Sequence, residues 1–91
     1  MKKLSIGLPV YNEEKYITDT ILSILNQTFT DFELIIIDNN STDKTFNILK
    51  SFEQKDNRIK LFKNQSNVGS IKNFNKTFNK SSSEFFMWAG S

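Results

Sequence analysis

Carboxylates, amides and hydroxyls gather in this chain directly after apolar runs, where a strand would pass into a loop. Pro9, Tyr11 and Glu13 end or follow the first such run, Leu4 to Val10, and Asp38, Asn39 and Asp43 follow Phe32 to Ile37. Asn64, Asn67 and Gly69 follow Ile59 to Phe62. A carboxylate at such a point accepts hydrogen bonds from hydroxyls or from backbone N–H groups. Glu13 reads either as an acid at the positive end of a helix or as an acceptor for ribose hydroxyls. Asp38 ends a strongly apolar strand, where an unpaired carboxylate is costly once buried. It therefore faces solvent or accepts hydrogen bonds from a ligand or the backbone, and Asp38-Asn39-Asn40-Ser41 is equally good turn chemistry. Asp43 reads as an early acid of the next helix or as an organiser of its loop. Gly69 suits either a tight turn or a close approach of backbone to a ligand. Asn75 falls on a helix face expected to turn inward, where an amide needs partners, and could brace the loops after the first and fourth strands.

Other chemistries are excluded by residue type. The chain has no cysteine and no histidine, so disulfides, thiolate sites and imidazole ligands are ruled out, and any metal must be held by oxygen. Neither a Walker loop nor a G-x-G-x-x-G follows any strand, so a nucleotide diphosphate would need another counter-charge, such as a divalent cation on carboxylates. The 12 basic and 10 acidic residues are scattered and leave a net charge of +2, without the concentrated basic face of a nucleic-acid module. Polar residues interrupt the N-terminus too early for a signal peptide, and no apolar run approaches the ~20 residues of a membrane span. A cytoplasmic location is the expectation.

The elements that must position these groups follow from periodicity. Leu4, Ile6, Leu8 and Val10 alternate with Ser5, Gly7 and Pro9, predicting a short strand ending near Pro9, which has no N–H for a ladder. Asn12 is expected to cap a helix with Ile17, Ile21, Ile24, Leu25 and Thr28 on one stripe. Leu34-Ile35-Ile36-Ile37, apolar without alternation, predicts a strand covered on both faces. Ser41 or Thr42 is expected to cap a second helix carrying Phe46, Leu49 and Phe52. Ile59, Leu61 and Phe62 predict a third strand, and Val68, Ile71, Phe74 and Phe78 the inward face of a third helix. Phe85-Phe86-Met87-Trp88 predicts a buried fourth strand. The order βαβαβαβ makes residues 1–91 a single α/β unit, a Rossmann-like parallel sheet with helices on both faces. Such sheets bind ligands beyond the carboxyl ends of their strands. The polar clusters, with Ala89-Gly90-Ser91 after the fourth strand, all fall on that edge.

Ile6-Gly7-Leu8-Pro9-Val10-Tyr11-Asn12-Glu13-Glu14, then Ile36-Ile37-Asp38-Asn39-Asn40-Ser41-Thr42-Asp43, then Asn67-Val68-Gly69 with Asn75, resembles family-2 glycosyltransferases of the GT-A fold. The resemblance covers essentially the whole chain, as the N-terminal half of a GT-A domain. It implies that Pro9, Tyr11 and Glu13 line a nucleotide pocket, with Glu13 near the ribose and Asp38 at the base, usually uracil. Asn39 stands where many members have a second Asp, and Phe74 where many have Arg. It further implies a nucleotide-sugar donor, a glycan or lipid-linked acceptor, and Mn2+ or Mg2+ on a D-x-D type motif expected beyond Ser91, together with the general base. The expected parent is an inverting transferase of cell-envelope or capsular polysaccharide synthesis, in the cytoplasm or at the inner face of the membrane. The 91 residues alone are expected to be inactive; the alternative is a non-catalytic α/β nucleotide-binding or structural fragment, and an exposed sheet edge offers a route to self-association.

Overall fold

The computed structural model describes residues 2–90, so the expectations placed on Ser91 lie outside the described residues. The elements run β1 (Leu4–Val10), α1 (Ile17–Leu25), β2 (Phe32–Asp38), α2 (Thr45–Lys55), β3 (Ile59–Lys63), α3 (Ser70–Asn79) and β4 (Phe85–Trp88). The strands form one parallel sheet in the order β3-β2-β1-β4. The Rossmann-like α/β architecture expected of the sequence is the one observed.

Alternation in β1 and β2 sorts the core. Ile6, Leu8 and Val10 join Phe32, Leu34 and Ile36 on one face, where they pack with Ile17 and Ile21 of α1, Leu49 of α2 and Ile59. Each fully buried Leu, Ile or Phe contributes about 1.5–3 kcal/mol relative to exposure, so this layer is the main source of cohesion. Helix α3 covers the opposite face. A Cβ at Gly7 would stand 2.6 Å from the ring of Phe86, so only glycine lets that ring lie across β1. The β1–β4 ladder ends where Gly7 O accepts the Ala89 N–H at 2.9 Å. The next residue facing β4 is Pro9, which has no N–H to continue it.

Four local expectations are corrected. Helix α1 begins at Ile17, so Asn12 does not cap it; Asn12 sits in the left-handed region (φ 51°) and Glu13 O accepts the Ile17 N–H at 2.8 Å. Helix α2 begins at Thr45, leaving Ser41 and Thr42 to serve other partners. Helix α3 turns Asn73 and Thr77 inward, while Ile71 is 78% exposed and Phe74 and Phe78 are also exposed. Its apolar stripe lies towards β4, where Phe74 meets Trp88 at 4.8 Å and Phe78 meets Phe86 at 4.9 Å between ring centroids. Finally, β4 is not buried. Phe85, Met87 and Trp88 are exposed, because no further strand or helix covers this edge among the described residues. No helix among those residues is long and apolar enough to cross a membrane.

Glu33, near the start of the buried strand β2, is a polar feature that periodicity did not reveal. Its Oε2 accepts hydrogen bonds from Ser5 Oγ, from the Ser82 N–H at 3.0 Å and from Ser82 Oγ at 2.8 Å. These bonds tie the connection between α3 and β4 back to β1 and β2. Burial pushes the Glu33 carboxyl up, but the hydrogen bonds from Ser5 and Ser82 outweigh it and hold the group below the usual carboxylate range. A folded-state pKa lower than the unfolded one stabilises fully above the unfolded value, and that contribution is lost as pH falls through the folded value. Glu33→Gln is therefore expected to cost about 1–3 kcal/mol at neutral pH. In urea titrations its stability should fall less steeply on acidification than the parent's. An equal acid dependence in the two proteins would contradict this role.

Candidate functional site

The carboxyl edge of the sheet is built by side chains of one loop holding the backbone of the next. Beyond β1, three consecutive backbone N–H groups are accepted by side chains from the β2–α2 loop and the first residue of α2. The Asn12 N–H goes to Ser41 Oγ at 2.9 Å, that of Glu13 to Thr45 Oγ1 at 2.8 Å and that of Glu14 to Asp43 Oδ2 at 3.3 Å. Asn12 returns the contact, its Oδ1 accepting the Thr42 N–H at 2.8 Å. The turn after β1 is therefore shaped by the segment beside it.

Asp38 ends β2 fully buried, with Oδ2 accepting the Ser41 N–H at 2.9 Å and Oδ1 accepting Ser41 Oγ at 2.6 Å. Of the two readings open for Asp38, the structure displays the turn, and the carboxylate is turned away from solvent. Asp43 accepts the Thr45 N–H at 2.9 Å and Thr45 Oγ1 at 2.6 Å. Burial pushes the Asp43 carboxyl up, and the bonds from Thr45 and from the Glu14 N–H more than offset it, leaving the group below the usual range. Asp43 thus stands ahead of α2 as a loop organiser.

An amide relay joins the ends of β2 and β3 to the start of α3. Asn39 is buried; its Oδ1 accepts Asn64 Nδ2 at 2.9 Å and the Val68 N–H at 3.0 Å, and its Nδ2 donates to Asn67 Oδ1 at 3.0 Å. Asn64 Nδ2 also donates to Asn73 Oδ1 at 2.9 Å, and Asn73 Nδ2 donates to Ile37 O at 3.0 Å. Asn67 Oδ1 accepts the Gly69 N–H at 2.8 Å. The amides of Asn39 and Asn67 are thus engaged by the fold. Gly69 has φ 86° with no atom crowding the place of a Cβ, so the need for glycine there is conformational. The inward amide of α3 is Asn73, not Asn75, which is exposed on the outer side of the helix. The sequence signal for Asn73 was its four-residue spacing from Thr77, a short polar stripe opposite the apolar one.

What remains open to a ligand is a cleft of about 160 Å³ between these loops. Pro9, Tyr11 and Glu13 form one side, Ser70 and Phe74 of α3 the other, with Asn39 and Asn73 at the floor. Tyr11 is 42% exposed, and Glu13, half-buried and lining the cleft, has its N–H held by Thr45. A larger hollow of about 460 Å³ lies beside α2, lined by residues such as Thr18, Lys44, Ile48 and Phe52. It has no carboxylate and lies away from the strand ends, so the smaller cleft is the better candidate. Among the described residues no three His, Cys, Asp or Glu side chains gather as metal ligands. These residues do not fit a resident manganese or magnesium ion, and the chemistry they offer is hydrogen bonding to a bound molecule.

The profile of glycosyl transferase family 2 matches residues 5–91. The chain belongs to that family. It is 48% identical over 69 residues to an uncharacterized glycosyltransferase of Haemophilus influenzae, covering 76% of this chain and 28% of that protein. It is 38% identical over 86 residues to the Campylobacter jejuni GalNAc(5)-diNAcBac-PP-undecaprenol beta-1,3-glucosyltransferase, covering 93% of this chain and 28% of that one. Among solved structures it is similar to Staphylococcus aureus TarS in complex with UDP, with TM-score 0.88 and 33% identity over 98% of this chain and 27% of that one. The same protein in complex with UDP-GlcNAc gives TM-score 0.87 and 32% identity over 97% and 26%. The chain spans little more than a quarter of the length of each of these three relatives. These likenesses carry the GT-A fold to this family-2 chain.

The relay makes a specific demand on residue 39. Asn39→Asp replaces a donor facing Asn67 Oδ1 with a carboxylate oxygen, so two acceptors oppose each other. It should cost about 1–3 kcal/mol in chemical denaturation. The same change at exposed Asn75 should stay within about 0.5 kcal/mol. Equal costs at the two positions would contradict the assignment of Asn39 to the relay.

Proposed function

We propose that this chain is the nucleotide-binding part of an inverting glycosyltransferase that moves a sugar from a UDP-sugar to an acceptor hydroxyl. The observation that carries the reading is the cleft at the carboxyl edge of β1 and β2, with Glu13 and Tyr11 at its side, in a chain of glycosyl transferase family 2. The complexes of TarS with UDP and UDP-GlcNAc support a uridine nucleotide. In the parent, the acceptor hydroxyl gives its proton to a carboxylate and attacks the anomeric carbon as the nucleoside diphosphate leaves, which inverts that centre. The Mn2+ or Mg2+ expected of the family, and the general base, belong on this reading to the remainder of the parent. The Campylobacter relative, named for a PP-undecaprenol substrate, supports a lipid-linked acceptor, cell-envelope glycan synthesis, and work in the cytoplasm at the inner face of the membrane.

Within this proposal Glu13 accepts from the ribose hydroxyls and Tyr11 and Pro9 flank the nucleoside. Asp38, closed on Ser41, shapes the base end of the cleft through its loop. A cleft of about 160 Å³ is well short of a complete small-molecule pocket, so the isolated chain holds only part of a nucleotide sugar. A Kd on the order of 1 mM, roughly −4 kcal/mol, is the corresponding expectation. Self-association is proposed along β4, whose edge carries Phe85 to Trp88 without charge or proline, whereas the opposite edge strand carries Lys60 and Lys63. A concentration-independent monomer in sedimentation would contradict that part.

Titration of the chain with UDP, ADP and GDP tests the central reading. UDP should bind most tightly, Glu13→Ala should weaken it about five-fold, and no sugar transfer should be detected. Equal binding of the three nucleotides, or none to a folded sample, would overturn it.

A further inference from the structure

Thr45 lies in the first turn of α2, outside the cleft, and is fully buried. Its hydroxyl does two things at once. The proton goes to Asp43 Oδ1 at 2.6 Å, and the oxygen accepts the Glu13 N–H at 2.8 Å. A hydroxyl has one proton and two lone pairs, so donating to Asp43 fixes the rotor and aims a lone pair at Glu13. The Thr45 N–H is held by the same Asp43 oxygen at 2.9 Å, so backbone and side chain of Thr45 are anchored together. On the other side of its Cα, Glu13 O accepts the N–H groups of Ile17 at 2.8 Å and Tyr16 at 3.0 Å. Glu13 is thus clamped at its N–H by Thr45 and at its carbonyl by the start of α1. Its Cα–Cβ direction is set, and Glu13 lines the cleft.

We propose that Thr45 is a positioning residue for nucleotide binding: its hydroxyl, anchored by Asp43, orients Glu13 so that the carboxylate meets the ribose hydroxyls. This rests on the nucleotide reading of the cleft and adds to it the group that sets its ribose selectivity. Thr45 does not touch the nucleotide. Its effect is confined to ligands that carry ribose hydroxyls, which separates it from a general role in stability. A Glu13 whose backbone is unanchored no longer presents its Cβ in one direction, and binding then carries the added cost of ordering that segment.

The test compares UDP with 2′,3′-dideoxy-UDP by NMR titration of the full chain, with thermal unfolding recorded for each variant. The unsubstituted chain should prefer UDP about five-fold, the worth of one exposed hydrogen bond of ~1 kcal/mol. Thr45→Val, which keeps the shape and removes the hydroxyl, should bring the ratio close to one by weakening UDP while leaving the dideoxy ligand unchanged. Thr45→Ser should restore the preference. A folded Thr45→Val with the preference intact, or a Thr45→Ser that loses it, overturns the inference. Where Thr45→Val does not fold, Asp43→Ala breaks the same chain one bond further away; it should lower the ratio, and an unchanged ratio refutes the proposal. An unsubstituted chain that binds UDP and the dideoxy ligand equally overturns the positioning role while leaving the nucleotide cleft standing. One that binds neither overturns both.

Discussion

Strand β2 is buried along its whole length, yet it carries a carboxylate near its start and another at its end, followed by a buried amide. Buried polar groups must be hydrogen-bonded or the fold loses several kcal/mol at each. The loops answer that demand. Glu33 draws in Ser5 and Ser82, Asp38 folds its own loop back through Ser41, and Asn39 recruits Asn64, Asn67 and the Val68 N–H. No buried side-chain nitrogen or oxygen among the described residues lacks a partner. The connections at both ends of the sheet are thus shaped by the polar ends of one strand, and the cleft is what they leave open.

This division of labour explains why the same edge holds both structural and candidate binding groups. Asp38, Asn39, Asp43 and Asn67 are engaged with backbone and side chains of the fold. Glu13 is held through its backbone N–H and carbonyl, and it lines the cleft together with Tyr11. Groups spent on the scaffold cannot reorganise readily, and a rigid scaffold makes the free groups effective. The apolar side of α3 and β4 follows another logic: Phe74, Phe78, Phe86 and Trp88 stack edge to face, yet Phe74, Phe78 and Trp88 stay exposed and Phe86 is half-buried.

The architecture was legible because its signals are strong and local. Leu34 to Ile37 can hardly be other than a two-sided strand, and Pro9 marks where the first strand must stop pairing on one side. The position of the polar clusters at the carboxyl edge followed from the element order alone. The orientation of α3 did not, because its apolar stripe of Ile71, Phe74 and Phe78 outweighs Asn73 and Thr77 on any hydropathy scale. Only the amide relay, which needs Asn73 between Asn64 and Ile37 O, makes the polar side the inward one. Helix starts were misplaced for a related reason. Asn12, Ser41 and Thr42 are good capping types, but each is engaged in bonds between the two loops, and such partners lie about 30 residues apart in the chain.

The central claim is that the cleft between the β1–α1 turn and the start of α3 takes a uridine nucleotide. A chemical-shift map of the isotope-labelled chain on addition of UDP tests it most directly. The account predicts changes at Tyr11, Glu13, Asn39 and Ser70, which border that cleft, and none along Thr18, Asn47 and Phe52 in the hollow beside α2. Changes confined to that hollow, or none at all in a folded sample, would contradict it.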